Sequence, residues 1–210
     1  MRTHAEVYWL LAALTGVTVP VAALAQRDSL RAAACARAEA GLRSGATGSE
    51  YDNAVNTLRD CPVDGPRLLA EQWTAPPRDS VALGQLAEVS AFALDQRVFE
   101  AARGVVANGG APRAVRLAAM RVLVGHYDPC LAVAIQVSSR SGPPVMAVAV
   151  LFGEMEHNMS RRGSVPLAPS VRGDVLSTLD AVAATEPDSI VREAARKLAI
   201  HLRGSSGSRC

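Results

Sequence analysis

Apolar residues recur at one spacing in three stretches of the chain. In "VFEAARGVV" they are Val98, Ala101, Ala102, Val105 and Val106; in "AVRLAAMRVL", Val115, Ala118, Ala119, Val122 and Leu123; in "IVREAARKLA", Val191, Ala194, Ala195, Leu198 and Ala199. Each set falls at i, i+3, i+4, i+7 and i+8, the pattern of one apolar stripe on a helix, with charged residues on the other side. The second and third stretches are near-copies of one phrase, and Glu100 to Arg103 matches Glu193 to Arg196. From Val98 to Val115 is 17 residues, one helix and a turn, and from Val115 to Val191 is 76, which reads as two units of about 38. An alanine-rich stripe cannot be buried by its own helix. Stacking like units buries it, so the pattern predicts a stack of antiparallel helical hairpins.

The remaining segments read as helices separated by short breaks. Helices are expected at about 28–42 and 49–60, the second capped by the Ser49 hydroxyl with Asp52 three residues on and showing Tyr51, Val55 and Leu58 on its apolar face. A short helix with Leu68, Leu69 and Trp73 follows "PVDGP". The "TAPPRDS" break then divides an N-terminal helical cap region, 26–76, from a repeat region, 77–203, and 204–210 is a tail. Later helices are expected at about 80–93, 95–107, 112–124, 130–138, 144–157, 169–184 and 188–202. "CLAVAIQVSS" and "VMAVAVLF" show β-branched alternation, so an embedded β-hairpin competes with helix there.

The front of the chain stands apart from this pattern. Arg2 and His4 precede an uncharged run from Leu10 to Ala25 that ends in Ala23-Leu24-Ala25, the arrangement of a signal peptide cleaved before Gln26. A retained membrane anchor is the competing reading, but the run is short and Gly16 and Pro20 interrupt it. Export to a periplasmic or extracellular compartment makes the four cysteines legible as disulfides. Of the three connectivities, Cys35 with Cys61 and Cys130 with Cys210 is preferred, because "RSGATG" turns two consecutive helices into a hairpin that brings Cys35 and Cys61 together. Cys210, in the "GSSGSR" tail, is alternatively free to pair between molecules and drive self-association.

Composition narrows the class further. Hydrophobic residues are 49% of the sequence but aromatic residues only 4%, so alanine, leucine and valine must build the core, as closely packed helices do. A net charge of +2 is too small to imply a nucleic-acid partner.

The segment "PDSIVREAARKLA", Pro187 to Ala199, resembles the second-helix pattern of HEAT-like repeats: a turn proline, an acidic cap, Val-Arg, paired small residues and a leucine. Asp188 and Arg192 match its acidic and arginine positions and Arg116 its arginine position, whereas Arg113 stands in place of the acid in that copy; in the earliest copy Asp95 keeps the acidic cap and Phe99 replaces the arginine. The resemblance covers about residues 80–203. It implies an all-α fold, a right-handed α-solenoid whose usual work is protein binding or scaffolding.

Motifs for catalysis are sparse. The chain contains no GxSxG, P-loop, GxGxxG or HExxH sequence and no zinc-like cysteine or histidine spacing, so no cofactor or metal is expected. The densest polar cluster, Glu154, Glu156 and His157, reads as the solvated end of a helix and alternatively as an acid/base or metal-ligand group. His126, Tyr127 and Asp128 crowd a turn, where His126 as a cation would complement the end of its helix and Asp128 cap the next; His201 ends the last helix in the same way. Asn158 begins a three-residue glycosylation match, "NMS". Arg113, Arg116 and Arg121 on one helix and Arg192, Arg196 and Arg203 on another, with Arg161 and Arg162 between them in sequence, read first as ordinary solvated faces with local acidic partners such as Glu193, and alternatively as a basic ridge facing an acidic partner or an anionic envelope polymer. The functional expectation is an exported, non-catalytic adaptor or scaffold with a protein partner in the cell envelope and no stable membrane insertion after cleavage. An envelope enzyme or accessory subunit built on Glu154 and His157 is the alternative.

Overall fold

The computed structural model describes residues 21–61, 64–127, 165 and 167–204. These form eight α-helices and no strand: α1 Val21–Arg43, α2 Gly48–Leu58, α3 Gly65–Gln72, α4 Ser80–Ala91, α5 Gln96–Ala107, α6 Arg113–Tyr127, α7 Val171–Thr185 and α8 Ser189–Gly204. Cys130, Cys210, the expected helices at 130–138 and 144–157, the β-branched segments and most of the signal-like run lie outside the described residues. Helix α1 starts at Val21 and runs without a break through Ala25 and Gln26. Among the described residues no helix is long and apolar enough to cross a membrane.

Local chemistry sets the helix starts. Asp79 accepts from the N–H groups of Val81 and Ala82 at 3.0 and 2.9 Å and caps α4, and Asp188 accepts from Ile190 at 2.9 Å and caps α8 as its place in the repeat pattern suggests. The expected Ser49 cap does not form: α2 begins at Gly48, and Thr47 in the capping position makes no side-chain bond. Gly45, with φ of +81°, takes the left-handed turn between α1 and α2 at no steric cost. Helix α3 begins inside the expected "PVDGP" turn, because Pro66 lies in the first turn, where a missing N–H leaves no helical bond unmade.

Alternate helices pack together. α2 lies on α4, α4 on α6 and α6 on α8, while α3 lies on α5 and α5 on α7; neighbours α1–α2, α5–α6 and α7–α8 also pair. One apolar core runs through all of them, from Ala38 to Leu202. Helix α6 touches α4, α5, α7 and α8, which is why Val115, Ala118, Ala119, Met120 and every residue from Val122 to Tyr127 are buried. Its burial extends the helix three residues beyond the expected end at 124.

The two copies of the repeated phrase prove to be adjacent helices. Arg113 at the start of α6 bonds Asp188 just before α8, and at the other end the Tyr127 hydroxyl donates to the Leu202 carbonyl at 2.8 Å, both across 75 residues. α6 and α8 are therefore parallel and in register. The 76-residue offset joins direct neighbours, not helices two stacked units apart. All five stripe residues of the first copy are buried; in the second, Val191, Ala195 and Ala199 are buried with Leu202, and Ala194 and Leu198 are partly covered.

Close approach of α4 and α6 depends on Gly125. A Cβ there would lie 2.4 Å from the Ala91 carbonyl oxygen and 2.9 Å from the Ala91 Cβ. Gly125→Ala is expected to destabilise the fold by about 1–3 kcal/mol through overpacking, measured as a lowered midpoint in denaturant with an unchanged slope.

Candidate functional site

Each copy of the phrase puts an arginine directly after its first stripe valine, and each arginine does the same local job. Arg116 Nε and Nη2 donate to the Val106 carbonyl at 3.1 and 3.0 Å, and Arg192 Nη1 donates to the Glu186 carbonyl at 2.6 Å. Both carbonyls lie at the C-terminal end of the preceding helix, where acceptors lack intrahelical donors and the helix dipole favours a cation.

The first copy also reaches the second. Arg116 forms an ion pair with Glu186 in which both side chains are almost wholly buried, and Arg113 Nε donates to Asp188 Oδ2 at 2.7 Å. Glu186 Oε1 accepts from the Asp188 N–H at 3.0 Å. That N–H, opposed by burial and helped by Arg116, holds the Glu186 carboxyl below its usual range. Asp188 is held low by Arg113, again against burial, with the N–H groups of Val191 and Ile190 assisting. Arg113, Arg116, Glu186, Asp188 and Arg192 thus tie the ends of α5 and α7 to the starts of α6 and α8.

This geometry corrects both readings of the arginines at one position. Arg116 is 2% exposed and spends its guanidinium inside the fold, so it cannot meet a partner. Arg113, Arg121, Arg192 and Arg196 are exposed. Arg113 and Arg121 flank Leu117 on the outward strip of α6, Arg196 pairs with Glu193 at 2.6 Å, and Arg203 pairs with Asp180 on α7. Arg161 and Arg162 lie outside the described residues, as do Asp128, Glu154, Glu156, His157 and Asn158.

His126 is also corrected. It does not act as a cation at an exposed helix end: it is 2% exposed, with Nδ1 2.9 Å from the Val122 carbonyl and its ring 5.9 Å from that of Phe99. Burial pushes its pKa down to about 4, although the Val122 carbonyl and the charge and backbone of Asp95 pull the other way, and the ring is neutral near pH 7. Phe99, which replaces the pattern's arginine, is fully buried for the same reason: α5 turns that position into the core. His201 is exposed in the last turn of α8, where the sequence placed it.

A second polar site went unrecognised in the sequence. Asp95, expected only as a cap, is fully buried and holds the chain where it enters α7: its Oδ2 accepts from the Val165 N–H at 2.7 Å, and its Oδ1 from the Arg97 N–H and Nε, each at 2.9 Å. Burial alone would raise its pKa, but the Arg97 guanidinium and the two N–H groups outweigh that and lower it. Gln96 continues the grip, donating from its N–H to the Val165 carbonyl and accepting from the Ala168 N–H, both at 2.9 Å. Among the described residues no three His, Cys, Asp or Glu side chains gather closely enough to hold a metal ion.

No protein-family model, curated protein or solved structure matches this chain. The architecture that stands is all-helical, with eight helices among the described residues.

Arg116→Met removes both donors from the buried Val106 carbonyl and leaves Glu186 without its cation; a loss of about 2 kcal/mol from the carbonyl alone is expected in urea titration. His126 gives a pH signature of opposite origin to an exposed salt bridge. With its pKa depressed to about 4 from 6.5, its contribution is complete above pH 6.5 and is lost as pH falls toward 4. Stability is expected to fall by roughly 3 kcal/mol across that window, and His126→Leu to remove that part of the slope, as read from denaturant midpoints at each pH.

Proposed function

We propose that the chain is an exported adaptor or scaffold that binds a protein partner in the cell envelope, working by binding rather than catalysis through the faces of a HEAT-like α-solenoid. The observation that carries this reading is the alternate packing of helices, α2 on α4 on α6 on α8 and α3 on α5 on α7, with both copies of the repeated phrase in parallel register. Stacks of this kind bury a continuous core between units and leave helix faces and turns as an extended surface for partners. The cation positions of that surface are Arg113, Arg121, Arg192 and Arg196, which favour an acidic partner through charge-assisted bonds. The disulfide between Cys35 and Cys61 supports export, because such bonds persist in the oxidising compartments that exported chains reach.

Crosslinking of the tagged protein in its native host, with mass spectrometry of the captured species and of the mature N-terminus, tests the reading. An envelope protein with an acidic surface is expected, from a chain that begins at Gln26. Arg121→Glu with Arg196→Glu should lower its capture at least tenfold while changing stability by no more than about 0.5 kcal/mol, because neither side chain is tied to the backbone. Capture that is unaffected by both charge reversals removes α6 and α8 as the binding face.

A further inference from the structure

Helix α1 is held differently from the rest. It packs on α2, and of its residues from 25 onward only Ala38 is buried; Ala32, Ala33, Ala36 and Ala40 face solvent. Cys35 and Leu42 are partly buried against the core, but alanine offers little apolar surface, so α1 buries little for so long a helix. Two further links secure it: Arg67 Nη2 reaches Glu39 at 3.2 Å, and the disulfide joins Cys35 to Cys61 with the Cα atoms 5.7 Å apart. The two cysteines are unequally exposed. Cys61 is buried just past the end of α2, whereas Cys35 is half-buried and lines an open cavity of about 460 Å³ with Arg27, Arg31, Ala34, Thr57 and Asp60. Arg27 and Arg31 are one helical turn apart on the same side of α1. The attacking species in thiol exchange is an anionic thiolate, and the two guanidiniums lining the cavity outnumber the Asp60 carboxylate there and draw the thiolate toward Cys35.

We propose that the Cys35–Cys61 disulfide is a redox latch, opened through this cavity by a dithiol reductant, that releases α1 from α2 while α4 to α8 stay folded. One thiolate of the reductant attacks Cys35 Sγ; the Cys35–Cys61 bond breaks, and Cys61 leaves with the electron pair and takes up a proton. The second thiolate of the reductant attacks its own sulfur in the mixed disulfide, and Cys35 leaves and is protonated. Two electrons pass from the dithiol to the cystine, and the reductant departs as a disulfide. The release uncovers the side of α2 on which α1 lay, a surface present only under reduction.

The test is limited trypsin digestion with hydrogen-exchange mass spectrometry on the full oxidised chain, before and after dithiothreitol without denaturant. Cleavage after Arg31, Arg37 and Arg43 is expected to rise tenfold or more on reduction, with amide protection in α4 to α8 unchanged. A Cys35→Ser, Cys61→Ser variant should show that cleavage without reductant, and Arg27→Gln with Arg31→Gln should slow reduction at least threefold. Unchanged cleavage in α1 on reduction would overturn the latch, since packing alone then holds the helix. Loss of protection in α4 to α8 together with α1 would overturn it too, because the disulfide would then staple the whole fold. A disulfide that dithiothreitol fails to reduce, or reduces at the same rate in the arginine variant, rules out entry through the cavity.

Discussion

A guanidinium buried between two copies of one phrase sets the geometry of this protein. Removing a charge from water is costly, and the cost is offset only where counter-charge and acceptors meet it together. Arg116 finds the Val106 carbonyl behind it and the Glu186 carboxylate across from it. That pairing is available at one sliding position of α6 against α8, because a shift of one turn would strand both charges in the core. Tyr127, bonded to the Leu202 carbonyl, fixes the same position at the far end. Apolar stripes made of alanine and valine tolerate several registers. The buried pair selects one.

Small side chains complete the arrangement. Gly125 against Ala91 lets α4 and α6 approach backbone to backbone, and Ala119, Ala195 and Ala199, all in the core, leave room for α6 to meet four neighbours at once. The few large residues then sit where elements converge: Phe99 under α6, and Trp73 at the end of α3, whose indole N–H donates to the buried Ser90 hydroxyl at 3.0 Å.

Much of the helical frame was legible because stripes at 3.6-residue spacing, aspartate caps and proline breaks are local signals. The first copy's stripe is buried at every expected position, and Asp95 and Asp188 cap the helices that follow them. What was not legible depends on who meets whom. Arg116 looks like any solvated arginine until Glu186, 70 residues on, is brought beside it; its burial is a tertiary fact. The spacing of 76 could be read as two stacked units because sequence distance does not say whether intervening chain lies between two helices. One clue was present: Arg113 stands where the repeat pattern wants an acid, and in the fold it meets the acid of the other copy. An opposite charge at a like position is the signature of copies that lie side by side. His126 was misread for the same reason, since a helix end is a place for a cation only where it faces water.

The grip of Asp95 and Gln96 on Val165 and Ala168 bears on how such a chain can change over time. Tyr127 is pinned by the Leu202 carbonyl and Val165 by α5, so the points where the chain leaves α6 and returns toward α7 are fixed by bonds to other helices. The alignment of α5, α6 and α8 at this junction is therefore set by bonds among described residues of the helices and their ends. The junction is thus a splice point. Residues can be gained or lost between those anchors, or a whole folded module inserted, while the paired helices keep their alignment.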